Sequence, residues 1–146
     1  MKMNDDLKNV VIFSDGGSRG NPGPGAGGGV VYFDEGKKIL ADAFYYGHCT
    51  NNQAEYRALL DAINLLEQNY TGELIELNLN IFLDSELMVK QINGEYQVRN
   101  DGLKEYYSQI QEKLSCFGQT TITHVVRANN QLADSLVNAA LDRWAE

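Results

Sequence analysis

The stretch Ser14-Asp15-Gly16-Gly17-Ser18-Arg19-Gly20-Asn21-Pro22-Gly23-Pro24-Gly25-Ala26-Gly27-Gly28-Gly29 constrains the fold of this chain more than any other. It holds most of the glycines and both prolines, with one carboxylate near its start. Before it, Val10-Val11-Ile12-Phe13 is apolar and β-branched, as a buried strand requires; after it, Val30-Val31-Tyr32-Phe33 reads as a second strand. The expectation is a Gly-rich loop joining two strands, with Asp15 where the first strand ends. Glycines there let a backbone approach closely or take positive φ without a Cβ clash. A Walker loop needs Gly-Lys-Ser/Thr opening a helix, and no Lys follows these glycines; the dinucleotide fingerprint also needs a helix next. Neither fits. An ordinary hairpin loop with a turn-forming Asp remains open at this point, so what Asp15 does depends on where other carboxylates fall.

Gly27 to Tyr32 is expected as the second strand, and Asp34-Glu35-Gly36-Lys37 as a turn into a third, Lys38 to Tyr46. Short turns make these three an antiparallel meander. A helix follows to about Asn69, capped by Thr50 or Asn51 and ended by Tyr70-Thr71-Gly72. Its apolar stripe is Ala58, Leu59, Ala62, Ile63, Leu65 and Leu66, and a helical projection sets Glu55 near the middle of that stripe. A carboxylate facing inward is costly unless paired, hydrogen-bonded or bound to metal; a first-turn Glu favoured by the helix dipole is the plainer alternative. Glu76 to Leu83 reads as the fourth strand, ending at Asp84-Ser85-Glu86, where a short helix begins with Asp84 as its simplest N-cap. Leu103 to Leu114 is a further helix, Thr121 to Val126 a last strand carrying His124, and Leu132 to Trp144 a closing helix. That helix has the stripe Ala133, Leu136, Val137, Ala140, Leu141 and Trp144, with Asp134 at its edge.

The chain of 146 residues is expected to form a single domain, 1–146, with a flexible N-terminus at 1–8. It lacks an apolar run of membrane-span length or a signal-peptide core, and Cys49 and Cys116 lack metal-ligand spacing, so a cytoplasmic protein is expected. The formal charge of −8 argues against coating nucleic acid by bulk electrostatics.

A helical crossover into the fourth strand makes that strand parallel to one already in the sheet. Laid beside the first strand, it would bring Asp84 and Asp15 to neighbouring carboxyl ends, where open α/β sheets place ligands. The first turns carrying Glu55 and Asp134 reach the same end. Four carboxylates at one point repel and call for bound cations. Hard oxygen ligands suit Mg²⁺ or Mn²⁺, and a pair of such ions can activate water and clamp a phosphodiester in line.

Asp15-Gly16-Gly17-Ser18 through Asn21-Pro22-Gly23, Thr50-Asn51-Asn52-Gln53-Ala54-Glu55, Asp84-Ser85, and Asn130 through Ala133-Asp134 occur in the order and spacing of one family. Together they resemble type 1 ribonuclease H, from about Val10 to Ala145. The resemblance implies an α/β, ribonuclease H-like fold: a five-stranded mixed sheet, three strands antiparallel and two parallel, flanked by helices. It implies hydrolysis of the RNA strand of an RNA–DNA hybrid, leaving 5′-phosphate and 3′-hydroxyl ends, with Asp15, Glu55, Asp84 and Asp134 as catalytic carboxylates holding two Mg²⁺ or Mn²⁺ ions. Asp15 would bridge both ions, Glu55 and Asp84 would complete the site that activates the water, and Asp134 the site near the leaving oxygen. Glu55 would also meet the ribose 2′-OH.

For the substrate, the resemblance assigns Asn51, Asn52 and Gln53 to the minor groove, Thr50 to a DNA-strand phosphate, and Gly16, Gly17, Ser18, Asn21 and Ser85 to the surroundings of the RNA backbone. Arg127 is assigned to phosphate binding or product release. Three departures stand out. His48 replaces an Arg that many members carry two positions before the Thr, the loop before Asp134 is short, and Gly94 to Lys104 holds only Arg99 and Lys104 as cations where relatives have a basic protrusion. Tyr96 stands where the family often has Trp. No membrane or obligate protein partner is expected, and a monomer is. A hybrid-binding module without catalysis, an actin-like nucleotide-binding domain and a purely structural use of the acids are the other readings. The full acidic set, the room for one domain only and the inward Glu55 weigh against each in turn.

Overall fold

Alternation along the first strand sets the architecture. In β1 (Lys8–Ser18), buried Val10, Ile12 and Ser14 alternate with half-buried Val11, Phe13 and Asp15, the period of two expected of a strand with two different faces. The computed structural model describes residues 6–145. Residues 1–5, the larger part of the expected flexible N-terminus, lie outside the described residues; Lys8 already pairs with Leu77.

β1 is the centre of a five-stranded sheet in the order β3-β2-β1-β4-β5. It pairs antiparallel with β2 (Gly23–Phe33), which pairs antiparallel with β3 (Lys38–Cys49). On its other side it runs parallel to β4 (Leu77–Leu83), which runs parallel to β5 (Gln119–His124). The helices are α1 (Asn51–Asn69), α2 (Glu86–Ile92), α3 (Asp101–Leu114) and α4 (Gln131–Trp144), with 3₁₀ turns at Leu74–Glu76 and Arg127–Asn129. This is the mixed sheet with four helices that the sequence predicts. Among the described residues no helix is long and apolar enough to cross a membrane.

The Gly-rich stretch differs from its expected form. β1 continues through Ser18 and β2 opens at Gly23, so only residues 19–22 turn, and Gly25 to Gly29 are strand. Here the missing Cβ serves contact with helices. A Cβ on Gly27 would lie 2.7 Å from Ala58 Cβ and one on Gly29 2.9 Å from Ala62 Cβ, both on α1; one on Gly28 would strike the Ala133 carbonyl and lie 2.7 Å from Leu136 Cβ, both on α4. Alternate glycines therefore admit α1 to one face of β2 and α4 to the other.

The main core lies on the α1 face, where Val10, Ile12, Leu79 and Ile81 of the sheet meet Tyr56, Leu59, Ile63 and Leu66 of α1, closed by Ile92 and Ile110. Ala26, Val137, Ala140 and Leu141 form a smaller core under α4. Phe13 stacks on Phe82 (5.1 Å, 21°) and meets Tyr32 edge-on (6.1 Å, 87°), tying β2, β1 and β4 together on the odd-numbered face of β1. Trp144, expected on the apolar stripe of α4, is instead 57% exposed, with Arg143 over its ring. It is the last residue of α4, while Ala145 after it still packs against the small core.

Candidate active site

β1 and β4 run parallel, so their carboxyl ends lie side by side. Asp15 lies two residues past Phe13, the last residue of β1 that pairs with β4, and Asp84 directly follows β4. α1 delivers Glu55 to the same point because Gly16 has no Cβ: one there would run into the Ala54 carbonyl and the Glu55 amide. The start of α1 is fixed by a capping box. The Thr50 hydroxyl accepts from Gln53 N (3.1 Å), and Gln53 Oε1 accepts from Thr50 N (2.9 Å).

One oxygen from each of Asp15, Glu55 and Asp84 lies within 4.8 Å of the other two. Glu55 is half-buried at the carboxyl ends of the central strands and not deep in the core that its helical phase suggested. Asp84 does not cap α2; Ser85 does, its hydroxyl accepting from Met88 N (3.2 Å), which leaves the Asp84 carboxylate to the cluster. Asp134 stands beside the three. Its charge lies close enough to Asp15 to oppose that group's ionisation, and its Oδ1 accepts from Arg127 Nη2 at 2.8 Å. Burial, then the Asp84 charge, pushes Asp15 up to about 8; burial and Asp84 likewise push Glu55 up to about 7, while a Ser85 hydrogen bond and Arg127 pull it down. Both shifts favour the protonated forms of Asp15 and Glu55 until positive charge replaces the protons. Clustered hard carboxylate oxygens fit Mg²⁺ or Mn²⁺.

Asn130 is a site residue to which the sequence assigns no role of its own. It is 2% exposed, and its Nδ2 donates to the Ser14 carbonyl (2.9 Å) and to Asp84 Oδ2 (3.1 Å), so it joins the end of β1 to the Asp84 carboxylate. Its signal was its place in the loop four residues ahead of Asp134, for an amide there is also a plausible cap; no capping bond from its side chain is present.

A cleft of about 590 Å³ opens over the carboxylates. Gly16, Gly17, Ser18, Asn51, Asn52, Ser85 and Arg127 line it, together with the acids. Asn51 Oδ1 accepts from Ser18 N (2.8 Å) and Ser18 Oγ (2.9 Å), and Asn21 Oδ1 accepts from Asn51 N (3.0 Å), so the turn after β1 and the start of α1 are bound together. Arg19 pairs with Asp142 of α4 at 2.5 Å. Thr50 and Gln53 lie outside the cleft lining, engaged with each other. His48 and His124 are both exposed, the latter at the end of β5.

The family model described as reverse transcriptase-like matches residues 13–140. The chain is 39% identical over 133 residues to ribonuclease HI of Halobacterium salinarum, covering 91% of this chain and 64% of that protein. It is 38% identical over 138 residues to a bifunctional protein of Mycobacterium tuberculosis, of which it spans 36%. A solved structure of LC11-RNase H1, isolated from compost by a metagenomic approach and bound to an RNA/DNA hybrid, superposes with a TM-score of 0.85 at 36% identity, over 94% of this chain and 99% of that one. The carboxylates gathered at the parallel strand ends, the matched family model and these relatives agree: the chain belongs to the type 1 ribonuclease H family.

Proposed function

We propose that this chain is an endonuclease that hydrolyses the RNA strand of RNA–DNA hybrids, leaving 5′-phosphate and 3′-hydroxyl ends. The observation that carries the reading is the meeting of Asp15, Glu55 and Asp84 within 4.8 Å of one another, on the floor of an open cleft with Asp134 at its side. Two Mg²⁺ or Mn²⁺ ions held by these four carboxylates would supply activation of water and stabilisation of the leaving oxygen.

The chain's own groups do the rest. Asp15, with Asp84 and Asp134 both near it, would be one of the carboxylates holding these ions, and Asn130 holds Asp84 in line. Glu55 reaches toward the ribose 2′-hydroxyl, the group that separates RNA from DNA. The glycines at 16 and 17 leave room for a sugar–phosphate backbone. Ser18, Asn21 and Asn51 form one hydrogen-bonded unit at the cleft wall; with Asn51 Oδ1 occupied, its NH₂ is the part left to face a minor groove, whose acceptors occur at every base pair. Asn52 and Ser85 extend the same wall, while Thr50 and Gln53 lie beside it for the DNA strand. Arg127, 76% exposed at its side chain, swings between Asp134 and an incoming phosphate.

The test is an end-labelled hybrid incubated with Mg²⁺ or Mn²⁺, comparing the wild-type protein with Asp84→Asn and with an EDTA control. Cutting confined to the RNA strand, metal-dependent and lost in the variant, is the expected result. Binding without cutting under either ion would replace the enzyme by a hybrid-binding module.

A further inference from the structure

Behind the carboxylates, one polar bond crosses the interior. Tyr56, 1% exposed and among the largest fully buried side chains, donates its hydroxyl to Oε1 of Gln91, itself 8% exposed, at 2.5 Å. Tyr56 follows Glu55 on α1, and Gln91 lies near the end of α2, the helix that Ser85 caps. α2 rests on β4 and β5 rather than on α1. A side-chain link therefore joins the two helices at Tyr56 and Gln91, six residues, or about 9 Å at 1.5 Å per residue, from Ser85, which lines the mouth of the site together with Glu55. A phenylalanine at position 56 would fill the same apolar space, so packing alone does not require the hydroxyl.

We propose that Tyr56 is a positioning residue: its buried hydrogen bond to Gln91 locks α2 against α1 and so holds the Glu55 carboxylate and Ser85 at the distance the three-carboxylate cluster needs. This rests on the reading of that cluster as a divalent-cation centre. Removal of the hydroxyl unties α1 from α2, whose far end stays bonded to α3 and β5 through Gln111 Nε2 to the Ile92 carbonyl and Asn93 Nδ2 to the Ile122 carbonyl, and Glu55 loses its register with Asp84.

The test compares the wild-type protein, Tyr56→Phe, and Tyr56→Phe combined with Gln91→Met. The second substitution removes the amide that Tyr56→Phe would strand in the interior, at nearly equal volume. Mn²⁺ affinity is read by calorimetry on the metal-free proteins, below the unfolding transition of each, alongside KM and kcat for hybrid cleavage. Expected is a loss of Mn²⁺ affinity of about tenfold in both variants, the size seen when a partner supporting a metal ligand is removed, with KM for the hybrid within about twofold of wild type. The double variant recovers melting temperature but not affinity. Wild-type Mn²⁺ affinity in either variant overturns the positioning role and leaves the bond a stabilising contact. Absence of Mn²⁺ binding and of cleavage in the wild-type protein itself would instead overturn the cation-centre reading, and the positioning role with it.

Discussion

Metal-free protein should lose stability as pH rises, and Asp15 should be the main cause. Its pKa, ordinarily 3.8, is about 8 in the folded chain because burial and the Asp84 charge both oppose ionisation. The folded state therefore binds more protons than the unfolded state between these values, and stability falls with pH across that window; it is full below the unfolded value and lost as pH passes the folded one. The rise corresponds to about 6 kcal/mol at 1.36 kcal/mol per pH unit. Asp15 keeps some contact with water, and its rise shares the Asp84 repulsion that also lifts Glu55, so about half of that, roughly 3 kcal/mol, is expected for the pair. About 2 of those 3 kcal/mol fall above pH 5, so at about 2–4 °C per kcal/mol for a chain of this size the melting temperature in EDTA should drop by about 4–8 °C between about pH 5 and pH 9, beyond any drop in Asp15→Asn. Saturating Mg²⁺ should flatten the wild-type profile, since the ion replaces the protons. The assay is circular dichroism melting across the pH series for both proteins, with and without Mg²⁺. Parallel profiles for wild type and Asp15→Asn in EDTA would refute the reasoning.

Other expectations follow from single contacts. Gly28→Ala places a Cβ against the Ala133 carbonyl and 2.7 Å from Leu136 Cβ, so α4 must move; a cost of about 1–3 kcal/mol in urea unfolding is expected. Asn130→Ala removes the donor to the Ser14 carbonyl and to Asp84, costing about 1–3 kcal/mol of stability and weakening Mn²⁺ binding in the same calorimetric titration. Arg127→Ala breaks an exposed ion pair worth under about 1 kcal/mol, so melting should hardly change, while KM for hybrid rises and the salt dependence of binding loses about one unit of slope.

Element order and the carboxylate set are legible in the sequence because strand and helix periods are strong and the acids fall at element ends. The parallel pairing of β1 with β4 follows from one helical crossover. Gly23 to Ala26 are illegible as strand, and the packing of Gly27 to Gly29 is too: glycine signals turns and close packing alike, and only the positions of Ala58, Ala62, Ala133 and Leu136 decide between them. Asp84 and Ser85 are both fair caps by type, and a one-residue difference decides which stays free for the site. Tyr56 and Asn130 look like any core aromatic and any turn amide. Their partners, Gln91 and Asp84, are 35 and 46 residues away, and local pattern carries no information about such pairs.

The glycines of β2 also bear on the order in which the chain acquires its shape. A strand segment without side chains has little of its own to choose a register, since nothing distinguishes one face from the other. From Gly25 to Gly29 the choice falls to what lies above and below. α1 follows soon after β2 in the sequence, but the opposite face waits for Ala133 and Leu136. During synthesis this strand is written about a hundred residues before its second cover. Its amides in the Gly25–Gly29 half should be among the last in the sheet to gain protection from hydrogen exchange during refolding, after those of Val10–Ile12 and Leu79–Ile81.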